Sequence, residues 1–68
     1  KSIFDKVEDI RATLGELSIL LLTESSQNLV ANELQTIKSL FQSIRWYENY
    51  EELKEYIQKI IGMIREAY

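Results

Sequence analysis

Ile3, Val7, Ile10, Leu14, Leu17 and Leu21 follow one another in steps of four and three residues. On a helix turning about 100° per residue these six side chains fall along one stripe, which suits burial against other helices and does not suit a strand. The rhythm returns in Val30, Leu34, Ile37, Phe41 and Ile44, flanked by Leu29, Leu40 and Tyr47. It returns again in Leu53, Ile57, Ile60, Ile64 and Ala67, flanked by Tyr56, Ile61 and Met63. Three amphipathic rods with a coiled-coil-like repeat are expected.

Punctuation between the seams places the rods. Ser2 followed by Asp5 fits an N-terminal cap, and the polar run from Thr23 to Asn28 can end one helix and cap the next. Asn49, three residues before Glu52, reads as a third cap, with Glu51, Glu52 and Glu55 matching the positive end of the helix dipole. The expected helices run over about residues 3–23, 27–47 and 50–67 within a single domain, 1–68. Short links between rods of similar length favour an all-α, antiparallel up-down-up three-helix bundle. The absence of proline, with glycine only at 15 and 62, argues the same way, because a β-rich chain of this size needs such residues at its turns. The alternative is a helical hairpin in which residues 45–50 run on without a stop, giving a long second helix that dimerises into a four-helix-type bundle.

Composition excludes much chemistry. With no cysteine and no histidine, the chain offers no disulfide, no thiolate nucleophile, no Cys/His zinc pattern and no imidazole base. Nor does it show a glycine-rich phosphate loop or a paired nucleophile and base, so neither an enzyme nor a cofactor is expected. Eleven acidic residues against eight basic ones leave a net charge of -3. The basic residues Lys6, Arg11, Lys38, Arg45, Lys54, Lys59 and Arg65 are scattered singly among acids, so no helix gathers the positive stripe that phosphate binding requires. A helix-turn-helix DNA binder is the least favoured reading on that ground. The longest apolar run, Ile19 to Leu22, falls far short of the roughly 20 residues that span a bilayer. A soluble, cytoplasmic chain without membrane or nucleic-acid partners is expected. It opens on Lys1 rather than methionine, as an excised domain or a processed product would.

Surplus apolar residues supply the functional lead. In Ser18-Ile19-Leu20-Leu21-Leu22-Thr23, Leu21 belongs to the seam and Leu20 and Leu22 lie about 100° to either side of it, where neighbouring helices can cover them. Ile19 points almost directly away. A lone exposed isoleucine is ordinary, yet four contiguous aliphatics in so small a domain mark a patch for docking onto a second copy or a partner helix. Trp46 sits about 160° from the second seam, so the indole either folds back over the bundle floor near Ile3 and Tyr50 or stands in solvent. In solvent, Trp46 with Arg45, Tyr47 and Tyr50 has the composition of an interface hot spot.

The expected function is therefore a non-enzymatic protein-protein interaction or oligomerisation module, with a homodimer favoured and Ile19, Leu20, Leu22, Arg45, Trp46, Tyr47 and Tyr50 as partner-binding residues. The alternative is a small acidic inhibitor that occupies a basic site on a target protein. Gly15 and Gly62, both inside helices and off their seams, read either as tolerated surface glycines or as places where another backbone comes close.

Overall fold

The computed structural model describes residues 2–68, and every regular element among them is helical. α1 spans Ile3–Leu20, α2 Glu24–Leu29, α3 Ala31–Leu40 and α4 Tyr50–Ala67, with a single 3-10 turn, Trp46–Asn49, leading into α4. The described residues form an all-α helical bundle of four helices, three of them substantial.

α1 begins where its cap dictates. The Ser2 hydroxyl accepts the Asp5 N–H at 3.1 Å, satisfying one of the free donors of the first turn. The helix ends at Leu20 rather than Thr23, because Thr23 caps α2 instead, its Oγ1 accepting the Ser26 N–H at 3.2 Å. Gln27 then ties the turn shut by donating from Nε2 to the Leu21 carbonyl.

The expected helix over 27–47 starts earlier, at Glu24 behind the Thr23 cap, and is corrected in two further places. It breaks at Val30, whose φ of -117° and ψ of 26° leave the α region, so that one residue closes α2 and opens α3 without a side-chain cap. What the break gains is the complete burial of Val30, while Leu34 and Ile37 still face inward one and two turns later. The second correction is the early stop at Leu40. Ser43 competes for the backbone there, its Oγ accepting the Arg45 N–H, as a short hydroxyl side chain does when it favours a turn over a helix. Phe41 and Trp46 lock that turn with an edge-to-face contact, ring centroids 5.0 Å apart. Helices two and three therefore do not fuse into one rod, and the hairpin alternative fails. Ile44, expected in the second seam, is 90% exposed because the helix that would have turned it inward has ended. Asn49 makes no capping hydrogen bond, since the 3-10 turn already feeds α4.

α4 carries the core. Leu53, Ile57, Ile60, Ile61 and Ile64 are buried along one face, meeting Ile10 and Leu17 of α1 and Val30 and Ile37 from the middle segment. Leu14, Leu20, Leu21, Leu34, Phe41, Tyr56 and Met63 pack around the edge of that cluster. Ile3 and Ala67, the outermost seam positions, lie beyond its reach and are exposed.

α1 and α4 are pinned by polar contacts that climb together. Asp9 accepts hydrogen bonds from the Tyr50 hydroxyl and from Lys54 Nζ at 2.8 Å near the start of both helices, and Arg65 pairs with Glu16 near their ends. The two helices therefore run in the same direction. Asp9 and Lys54 are both mostly buried, so this knot is worth more than the exposed Arg65–Glu16 pair. The two buried polar side chains are also satisfied: Thr13 donates to the Asp9 carbonyl, and Ser26 shares the Thr23 hydroxyl.

Candidate interaction surfaces

The seven residues singled out from the sequence fall into two groups at opposite ends of the bundle. At the end where α1 and α4 finish, Ile19 is 67% and Leu22 79% exposed. Leu20 is not equivalent to them, because it packs half-buried against the core. Ile19 and Leu20 nonetheless line one groove of about 510 Å³ together with Ile64 of α4 and Tyr68 just past its end, and Thr23, Ser25 and Arg65 add polar atoms to its lining. Tyr68, 74% exposed, extends the apolar surface across to the end of α4. Sequence reasoning missed Tyr68, since a terminal tyrosine lies beyond any seam and only its placement beside Ile19 gives it meaning.

At the other end, Arg45, Trp46, Tyr47 and Tyr50 are not a common exposed patch. Tyr50 is 8% exposed and gives its hydroxyl to Asp9, so it is part of the core that joins α4 to α1. Trp46 folds back, half-buried against Phe41, and Tyr47 stands edge-on to it at 6.3 Å. Arg45 alone is well exposed, and it pairs with Glu48 at 3.3 Å. Of the two possibilities for the indole, the structure has the one in which it returns to its own bundle.

Trp46 also lines a pocket. Between the end of α3 and the start of α4 lies a pocket of about 380 Å³, lined by Trp46, Tyr56, Leu40 and Leu53. Glu52, Asn49, Ser39 and Ser43 supply its polar rim. Glu52, Leu53 and Tyr56 share a stripe of α4 because their spacing is one and three residues, and Asn49 stands just before its first turn.

No group of three acids converges to hold a metal ion among the described residues, and none of their helices is long and apolar enough to cross a membrane. The chain matches no protein-family model, no curated protein and no solved structure.

Proposed function

We propose that this chain is a non-enzymatic docking module that recognises protein through the apolar corner built by Ile19, Leu22 and Tyr68, with a second copy of itself as the favoured partner. The observation that carries the reading is the exposure of two large aliphatics beside a groove that reaches down to Leu20 and Ile64. Contiguous apolar surface of this kind mostly serves recognition.

The face is also self-complementary in size. Ala12, Gly15 and Ile19 are exposed at spacings of three and four on α1, opposite the buried Ile10 and Leu17, and Leu22 continues the series just past the helix end. Two copies of α1 laid antiparallel along this stripe set each Ile19 against the second copy's Gly15 and each Leu22 against its Ala12. Large side chains then meet small ones, as knobs meet holes in paired helices. Burying Ile19 and Leu22 from their present exposure contributes roughly 2 to 4 kcal/mol per chain, against an association cost of at least about 4 kcal/mol. The surplus of at most about 4 kcal/mol for the pair corresponds to a weak dimer, assembling at about millimolar concentration.

Sedimentation velocity across a concentration series tests this. The wild-type chain is expected to move toward a dimer as concentration rises, and Ile19→Glu or Leu22→Glu to hold it monomeric with unchanged helicity. A wild-type chain that stays monomeric throughout removes the second copy as partner.

A further inference from the structure

We propose that the pocket beside Trp46 receives the cationic end of a lysine or arginine side chain presented by a protein partner. Its size sets the first limit. At about 380 Å³ it lies near the lower end of ligand-binding cavities, enough for one side chain and too small for a helix.

The lining chooses the chemistry. Trp46 and Tyr56 present aromatic surface, and the faces of such rings attract cations through their quadrupole. Glu52 adds a full negative charge on the rim, and among the described residues no lysine or arginine pairs with it. Lys6 and Lys59 each border an adjoining depression that Glu52 also lines, Lys54 pairs with Asp9, and none of the three lines this pocket. Ser39, Ser43 and Asn49 offer hydroxyl and amide oxygens to the remaining N–H donors of an ammonium or guanidinium group. Leu40 and Leu53 supply apolar surface along which the aliphatic stem of such a side chain lies.

Position in the first turn of α4 gives Glu52 a second task, complementing the helix dipole, but that task needs no pocket and no rings. An acid, two aromatic rings and two leucines lining one small cavity form a receptor for a long side chain with a charged tip. An anionic or purely apolar ligand would waste the carboxylate.

Trp46 is the only tryptophan in the chain, so it reports on its own pocket. Its indole N–H resonance and fluorescence are followed while N-acetyl-lysine amide, N-acetyl-arginine amide, choline and the neutral N-acetyl-norleucine amide are titrated in turn. The lysine or arginine probe is expected to shift the Trp46 signals saturably and norleucine to leave them unmoved. Glu52→Gln and Tyr56→Leu are each expected to weaken binding by about two- to fivefold. Raising the salt concentration on the wild-type chain must weaken binding as well, which tests the carboxylate without any substitution. Norleucine binding as well as lysine, no shift with either cationic amino acid, or choline binding more tightly than both would overturn the proposal.

Discussion

Gly15 and Gly62 can be turned into a quantitative test of both the fold and the docking face. Each lies inside an 18-residue helix at negative φ, and a Cβ built on either meets no atom within 4 Å. With no steric penalty to subtract, replacing glycine by alanine recovers the full helix-propensity difference, about 0.8 to 1.0 kcal/mol per site. For a domain of 60–100 residues, 1 kcal/mol raises the melting temperature by roughly 4 to 8 °C. The sites lie on different helices with no shared neighbour, so the two gains should add. Thermal and urea denaturation of Gly15→Ala, Gly62→Ala and the double variant, read by circular dichroism at dilute concentration, measures them. A variant that melts at or below the wild-type temperature would refute the open-space reading at that position. Repeating the measurement by sedimentation at high concentration separates the two glycines. A methyl at Gly15 fills the hole that the second copy's Ile19 needs, so Gly15→Ala should weaken association while stabilising the monomer, whereas Gly62→Ala should do only the latter.

Other perturbations address the knot, the core and the released seam residue. Asp9→Ala leaves the Tyr50 hydroxyl and the Lys54 ammonium without their shared carboxylate, and should cost about 1.5 to 3 kcal/mol in urea titrations. A loss no greater than that of the exposed Glu8→Ala would show that the knot is not stabilising. Ile57, fully buried at the centre of α4, should cost about 2 to 5 kcal/mol on truncation to alanine, enough to unfold so small a domain at ordinary temperature. Ile44→Lys should change stability by less than about 0.5 kcal/mol, because the side chain already stands in solvent, and a large loss would place it back in the core.

Periodicity made the helical class and most of the core legible before any coordinates. Ile10, Leu17, Val30, Ile37, Leu53, Ile57, Ile60 and Ile64 were all seam residues, and all are buried. The Ser2 cap was equally readable, because a hydroxyl three residues before an acid has few other uses at a helix start. Hidden from the sequence were the break at Val30 and the stop at Leu40. In both places the hydrophobic rhythm continues across a change of backbone direction, and the choice falls to local competition such as the Ser43 hydroxyl and to the pairing of Phe41 with Trp46. Asp9 was invisible as a site for a related reason. Its partners lie 41 and 45 residues away, and only the alignment of α1 with α4 brings them together. The exposure of Ile19 follows from its angle on α1, whereas Leu22, expected beneath a neighbouring helix, is exposed because α1 has already ended at Leu20, and the pocket beside Trp46 exists only because the chain turns back after α3.

Because α1 and α4 point the same way, the first and last helical residues sit at opposite poles of a body about 35 Å long. A pull applied through the two ends would load the interface between these helices in shear, with the Asp9 and Glu16 contacts strained at once instead of opening one after another. Tension along that axis would drag buried isoleucines past each other across the whole seam. A helix pair running in opposite senses, grasped at neighbouring ends, would simply peel apart.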